Sequence, residues 1–174
     1  MPYVLFPTPF GTCGLAWADA GITRFQLPEE TEARTGERLA RGGGTGLQEG
    51  DAPEWVRRVI ARVRLHLSGT PQDFSDVAID WKRVSDFQHA VYLQTLAIRA
   101  GCKASYGEIA RALALGPESA RAVGVALATN PWPLLVPCHR IVSAKDTMTG
   151  FSGPGGVRTK TRLLALEGAE LLSE

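Results

Sequence analysis

The pattern of hydrophobic and polar residues predicts a β-rich first third of the chain. Residues 3–6 form a short apolar run and residues 11–17 form a second one. After turn residues at 19–21, residues 22–27 alternate apolar and polar, as in a half-buried strand. Residues 28–50 are polar and contain a run of three glycines, which predicts a surface loop with room for a short helical piece.

A helix and one more strand are predicted next. Asp51 is the expected N-cap, Pro53 suits the first turn, and Glu54 stands three residues after the cap. The buried stripe of this helix would consist of Val56, Val59, Ile60, Val63 and Leu67. After a break at 68–71, apolar and polar residues alternate through 77–81, as in another strand. Residues 1–81 are therefore predicted to form a small sheet with a helix packed on it.

The second half is predicted to be mainly helical up to residue 130. Ser85 and Asp86 are candidate caps for a well-buried helix whose apolar residues are Phe87, Val91, Leu93, Leu96 and Ile98. Ser105 and Glu108 form a capping-box pattern for the next helix. Gly116 and Pro117 end that helix, and Pro117 suits the start of another over 118–127. Helix, break and helix are typical of a helix-turn-helix, but an ordinary helical hairpin has the same outline.

The last of these helices has an unusually bare surface. Val123 and Leu127 suit its inner face together with Ala120, which leaves small residues and one long cation outside: Arg121, Ala122, Val125 and Ala126. A helix that reads bases in the major groove usually presents several Arg, Asn or Gln side chains. A bare helix instead favours close backbone approach to a minor groove, although the same residues would also suit packing on another helix.

Composition and charge exclude several classes of protein. The chain has 174 residues with 44% hydrophobic and 21% charged, which is ordinary for one large or two small soluble domains. No apolar run approaches the about 18 residues of a membrane span, and the start lacks the basic segment of a secretory signal. Three scattered cysteines indicate reduced thiols in the cytoplasm. Residues 1–80 carry 8 basic and 11 acidic side chains and residues 81–174 carry 11 and 7, a mild polarity that favours nucleic acid only slightly.

The candidate chemistry lies in residues 130–142. Three prolines within 131–137 indicate a rigid strut, which ends in the pair Cys138 and His139. Neighbouring side chains of a strand face opposite ways, so the two residues can cooperate only if the chain turns at Pro137 and Cys138. A neighbouring imidazole would activate the thiol by removing its proton.

Other chemistries have little support in the sequence. Cys13 and Cys102 are interpreted as structural or incidental, and the cysteines and histidines lack the spacing of a zinc site. Residues 150–156 are rich in glycine but lack the Lys-Ser/Thr ending of a phosphate-binding loop.

The segment 137–141, Pro-Cys-His-Arg-Ile, closely resembles the PCHRV active-site motif of the O6-alkylguanine-DNA alkyltransferases, also called methylated-DNA–protein-cysteine methyltransferases. Further segments similar to that family follow its order: 105–110, 120–124, 130–131, 151–153 and 160–168. The resemblance covers residues 86–169, whereas the first 81 residues match only in outline.

This resemblance implies an α+β protein of two domains. Residues 1–81 would form a ribonuclease H-like unit, a small antiparallel sheet with a helix, and residues 86–174 a winged-helix or helix-turn-helix unit that binds DNA and carries the catalytic site. The implied reaction is irreversible, stoichiometric transfer of an alkyl group from O6-alkylguanine in double-stranded DNA to Cys138. It requires no metal or cofactor, and the protein would be a cytoplasmic monomer.

The resemblance also implies roles for individual residues. His139 would act as the base through a water, Glu167 would orient it, and Asn130 would be the hinge between the helix-turn-helix and the strut. The flipped guanine would be held by Tyr106, which donates toward its ring, by Ser152, by main chain near Ile141 and by an aromatic wall at Phe151. Arg121 would fill the vacated stack from the minor groove, with Ala122 and Ala126 as small neighbours.

Two features depart from the family pattern. Phe151 stands where the family often has Tyr, and the glycine-rich stretch 153–156 is longer than usual.

The alternatives to alkyl transfer are a non-enzymatic lesion-binding or regulatory helix-turn-helix protein and a cysteine hydrolase. Relatives that do not transfer the alkyl group carry Trp in place of the cysteine, and the presence of Cys138 disfavours that class.

Overall fold

The computed structural model describes residues 1–41, 43–145 and 150–169. The strands within these ranges are β1 (Pro2–Thr8), β2 (Gly11–Ala18), β3 (Gly21–Gln26), β4 (Thr45–Leu47), β5 (Ala104–Ser105) and β6 (Ile141–Val142). The α-helices are α1 (Glu32–Ala40), α2 (Glu54–Leu67), α3 (Asp86–Leu96), α4 (Tyr106–Ala112), α5 (Ala120–Ala128) and α6 (Gly156–Leu166). Short 3₁₀ turns lie at Glu49–Asp51, Trp81–Arg83, Pro117–Ser119 and Cys138–Arg140.

The first four strands form one sheet, in the order β3-β2-β1-β4, and its first three strands are those predicted. β1, β2 and β3 pair antiparallel, but β4 runs parallel to β1, so the prediction of a purely antiparallel sheet is wrong at this edge. β4 has three residues of the sequence Thr-Gly-Leu, too few to show an alternating pattern. A parallel neighbour needs a crossover, which α1 supplies within the predicted loop. Gly42, in the glycine run, lies outside the described residues.

α2 covers one face of the sheet, and all five residues of its predicted stripe are at most 5% exposed. The predicted cap is wrong, since Asp51 ends a 3₁₀ turn and the helix begins at Glu54 after Pro53. The predicted strand at 77–81 is also wrong. Within this segment only Ile79 bridges to β3, at Ile22. The next part of that sheet edge is occupied by residues 131–132, because the Phe25 N–H donates to the Pro131 carbonyl.

The helical second half is largely as predicted. Ser85 and Ser105 each cap a helix through a complete capping box, with Gln88 and Glu108 as partners. The break at 116–117 and the restart of the chain as α5 are also confirmed. The predicted burial of Phe87 and Leu93 is wrong, because the two are 37% and 49% exposed. α3 packs on one side only, through Val91, Tyr92 and Thr95.

The strut at 130–137 runs between the sheet and the C-terminal helices. Trp132 is fully buried, with its ring edge-on to Tyr92 at 6.1 Å and to Trp81 at 5.4 Å between centroids. Its indole N–H donates to the carbonyl of Ile22. A single hydrophobic cluster extends from Val4 in β1 through the strut to Leu163 in α6. The segment that carries Cys138 is therefore held on both sides by the core. No helix in the described part of the chain is long and apolar enough to cross a membrane.

Candidate active site

The strut ends in the 3₁₀ turn Cys138–Arg140, so the predicted turn at Pro137 and Cys138 is confirmed. The turn sends the two neighbouring side chains to different places. Cys138 lines two open cavities, whereas His139 is fully buried behind it. Cys138 thus borders space that is open to solvent although it is only 8% exposed, and the imidazole lies in the interior.

Asn130 ties the end of α5 to this turn. Its side-chain oxygen accepts from the main-chain N–H of Trp132 at 2.9 Å, and its Nδ2 donates to the carbonyl of Val136 at 3.0 Å. The same side chain interacts with the Cys138 thiol and lowers its pKa. Asn130 therefore bonds to the strut near both of its ends, and its role as a hinge stays a prediction.

Glu167, just after α6, receives hydrogen bonds from three side chains. Its Oε1 accepts from Nε2 of His139 at 2.8 Å, from Nε2 of His66 at 2.8 Å and from Nη2 of Arg140 at 2.9 Å. Its Oε2 accepts from Nε of Arg140 at 3.0 Å. Burial opposes ionisation of this carboxyl, but these donors outweigh burial and hold its pKa well below the usual range. Glu167 is a fixed buried carboxylate.

The bond to Glu167 determines which nitrogen of His139 is basic. A carboxylate only accepts hydrogen bonds, so Nε2 of His139 carries the proton. Nδ1 is then the unprotonated nitrogen of the neutral ring, and it is buried with no hydrogen-bond partner among the described residues. Burial lowers the pKa of His139, against the opposing effect of Glu167, so the ring is neutral at physiological pH. An unprotonated ring nitrogen in the residue after a cysteine can accept the thiol proton, directly or through a water.

Cys138 needs this activation. Burial raises the pKa of its thiol, while the interaction with Asn130 and the charge of Lys160 lower it in part. Lys160 is itself fully buried on α6, where its ammonium group donates to the carbonyl of Ile141. Its ammonium group also lies 6.0 Å from the centroid of the Tyr106 ring. A cation next to the sulfur stabilises the thiolate once the proton has left.

A cavity of about 280 Å³ opens beside the sulfur. Tyr106, Phe151 and Ser152, which the sequence interpretation assigns to the base, all line it, together with Gly124, Leu127, Ala128, Cys138 and Gly150. A Cβ at Gly124 would stand 3.8 Å from the Tyr106 ring, so the absent side chain leaves room for a flat group. A wider cleft of about 520 Å³ continues from Cys138 past Ser152 to Arg24 and Arg38.

Ile141 does not join this cavity. Its side chain is fully buried, its N–H donates to the Cys138 carbonyl, and its own carbonyl accepts from Lys160. Its N–H is thus engaged within the protein, while its carbonyl keeps a second lone pair beside the bond from Lys160, and contact of this main chain with a base stays a prediction.

α5 forms one wall of the cavity, and its outer face is as bare as the sequence predicts. Arg121 and Ala122 are exposed, and Val125 is 61% exposed. The placement of Ala126 on this face is wrong, because Ala126 is 3% exposed. It faces inward because α3 packs there, with the Tyr92 hydroxyl donating to the Ala126 carbonyl at 2.7 Å.

Sequence reasoning missed three side chains of the site: His66, Arg140 and Lys160. A histidine three positions after Val63, on the buried stripe of α2, was a usable signal, because a buried imidazole needs a partner. Arg140 and Lys160 stood inside recognised motifs but were assigned no role. Their partners come from distant parts of the chain and are visible only in three dimensions.

The structure is an α+β protein with a cysteine, an oriented histidine and a buried carboxylate beside a cavity that opens along a bare helix. Its residues 86–169 match the sequence profile of the 6-O-methylguanine DNA methyltransferase DNA-binding domain. A methylated-DNA–protein-cysteine methyltransferase of Mycolicibacterium paratuberculosis is 33% identical over 165 residues, spanning 95% of this chain and 91% of the relative. The chain belongs to the methylated-DNA–protein-cysteine methyltransferase family.

Two further similarities extend over nearly the whole chain. A DNA base-flipping protein of Thermus thermophilus is 32% identical over 166 residues, 94% of this chain and 97% of the relative. The crystal structure of Mycobacterium tuberculosis OGT in complex with DNA superposes with a TM-score of 0.78 at 30% identity, covering 97% of this chain and 93% of that one. The N-terminal half, which matched the family only in outline by sequence, is thus included in the structural likeness.

Proposed function

We propose that this protein repairs DNA by transferring the alkyl group of O6-alkylguanine to Cys138, once per molecule. The observation that carries the proposal is the combination of Cys138, which borders an open cavity, with the unpartnered, unprotonated Nδ1 of His139 in the next residue. Activation of the thiol and access to a substrate are thereby combined at one sulfur atom.

The transfer is a displacement at the alkyl carbon. The Cys138 sulfur forms a bond to that carbon while the carbon–O6 bond breaks, and the electron pair of that bond stays on the guanine. The thiol proton passes through one water to Nδ1 of His139, whose positive charge the buried carboxylate of Glu167 stabilises. The Tyr106 hydroxyl donates a hydrogen bond to the guanine ring as negative charge develops there, and the guanine anion takes its proton from water. The thioether that remains has no easy reverse step, so the protein is consumed.

The base is held in the cavity that Tyr106, Phe151 and Ser152 line. A guanine inside a duplex cannot reach Cys138, so it must leave the stack at a cost of a few kcal/mol. α5 borders the cavity and presents Arg121 on an outer face whose other side chains are small. This arrangement supports minor-groove approach by the helix, with Arg121 filling the space that the base leaves.

We further propose that residues 1–81 form the ribonuclease H-like unit and residues 86–174 the winged-helix or helix-turn-helix unit of a cytoplasmic monomer. The helices α4 and α5 with the turn between them fit the second unit. Its last five residues, 170–174, lie outside the described residues.

A second function is lesion recognition without transfer, which the likeness to a relative named as a DNA base-flipping protein favours. The two functions differ at Cys138. A Cys138→Ser variant should bind alkylated duplex as the wild type does but take up no alkyl group. If this variant retained all biological effect, recognition alone would be the function.

The direct test is the mass of the protein after incubation with a duplex that contains one O6-methylguanine. The Cys138 peptide should gain the mass of one CH₂ group, with no more than one gain per molecule. Cys102 is the internal control, because its thiol is exposed and non-specific alkylation would reach it first. No gain at Cys138 in intact, reduced protein would disprove the proposal.

A further inference from the structure

His66 connects the N-terminal half of the chain to the proposed proton acceptor, His139, through Glu167. It lies near the end of α2, is 1% exposed, and packs against Phe74 with ring centroids 5.4 Å apart. Its Nε2 lies 2.8 Å from Oε1 of Glu167, the oxygen that also accepts from Nε2 of His139 at 2.8 Å. Two imidazoles from different halves of the chain therefore share one carboxylate oxygen.

The tautomer of His66 is fixed by its other nitrogen. The main-chain N–H of Gln72 donates to Nδ1 of His66 at 3.0 Å, so that nitrogen carries no proton. The proton of the ring must then be on Nε2, and His66 is a permanent donor to Glu167. A proton on Nδ1 of His66 would point at the main-chain N–H of Gln72, and two donors would then face each other.

Sharing one oxygen has an electrostatic consequence. Each hydrogen bond to a carboxylate offsets part of its negative charge, which weakens its interaction with the other donors. The His66 bond therefore reduces the stabilisation that Glu167 gives to a protonated His139. The other charges near this cluster are Arg140, which bonds both oxygens of Glu167, Lys160 of α6 beside Cys138, and Asp73, which interacts with Arg140.

We propose that His66 is a positioning residue that holds down the proton affinity of His139 through their shared oxygen on Glu167. The inference rests on the proposed alkyl transfer, in which His139 takes the thiol proton. The N-terminal half then contributes to the reaction, because His66 of α2 sets the proton affinity of His139 through Glu167.

The test compares His66→Phe, which keeps a ring of similar size without a donor, with His66→Gln, whose amide nitrogen replaces Nε2 as donor. ¹⁵N NMR titration of His139 measures its proton affinity directly. The acid limb of the pH–rate profile for alkyl transfer, from about pH 5 to about pH 9, measures whether the reaction uses it. Phe74→Leu is the matched control, because it loosens packing on His66 and leaves the bond to Glu167 intact.

In His66→Phe, both the His139 titration and the acid limb should move to higher pH by about one unit, while His66→Gln and Phe74→Leu stay within a few tenths of wild type. An unchanged His139 titration in His66→Phe, or an equal shift in Phe74→Leu, would overturn the inference. If the His139 titration shifts but the acid limb of the pH–rate profile does not, His139 is not the base in alkyl transfer. Wild-type ¹⁵N shifts give a check independent of folding, since a proton on Nδ1 of His66 would also overturn the inference.

Discussion

The indole N–H of Trp132 donates to the main-chain carbonyl of Ile22 at 2.9 Å, across 110 positions of the chain. Six residues after Trp132 stands Cys138, and no flexible segment separates the two. The place of the sulfur therefore depends on the first sheet as well as on the helices around it.

Replacing Trp132 with Phe tests this dependence. The variant loses one buried hydrogen bond and part of a large ring, so the free energy of unfolding should fall by about 1–3 kcal/mol. The strut should also loosen, which slows alkyl transfer. Urea unfolding and a single-turnover rate on methylated duplex measure the two effects. Loss of stability with an unaltered rate would show that the strut is held well enough by its other contacts.

The role proposed for Arg121 predicts a loss that depends on the substrate. Arg121→Ala should slow transfer from a methylated duplex by about 100-fold, because about 3 kcal/mol of help in extruding the base is removed. Reaction with free O6-benzylguanine needs no extrusion and should stay near the wild-type rate. Arg57→Ala, at an exposed position of α2, removes the same charge and should leave both rates unchanged. Equal losses on the two substrates would contradict the role.

A substitution at Gly124 should affect the stability of the protein and access to the cavity in opposite directions. Gly124→Ala should raise the free energy of unfolding by about 0.5–1 kcal/mol, because alanine favours a helix. Its Cβ would nevertheless enter the cavity, 3.8 Å from Tyr106, and slow the reaction of both duplex and free base. Gly107→Ala in α4 is the control, since its Cβ would meet only the Ser105 hydroxyl oxygen, also at 3.8 Å. A Gly124→Ala variant as fast as wild type would place the base elsewhere.

Lys160→Met predicts a change in pH dependence. Burial raises the pKa of Cys138 and the charge of Lys160 partly lowers it, so removing the charge should raise that pKa further. A pKa one unit higher reduces the thiolate fraction about tenfold at neutral pH, and the rate should recover in part as the pH rises. Lys82→Met, at an exposed lysine, is the matched control. A uniform loss at every pH would indicate a packing role for Lys160.

Local signals predicted most of the helices and the turn at the nucleophile. The capping boxes at Ser85 and Ser105 hold because their bonds join residues three apart. The prolines around 131–137 restrict the backbone wherever the strut is placed. These features depend on neighbouring residues and need no knowledge of the fold.

The errors arise where distant residues decide the outcome. Residues 77–81 alternate like a strand, but the strut occupies the sheet edge they would need, and that competition is invisible locally. The sequence interpretation puts Ala126 on the outer face because its size suits both environments, and only the packing of α3 against α5 determines which way it faces. His66 was missed for the same reason, because its partner Glu167 lies 101 positions away.

The buried position of Nδ1 of His139 has a consequence for how such a protein can work. A catalyst that performs many cycles must return its base to the starting state each time, which requires a path by which the proton departs. A protein that reacts only once has no such requirement. A buried ring nitrogen that keeps the one proton it receives is compatible with a molecule that reacts a single time.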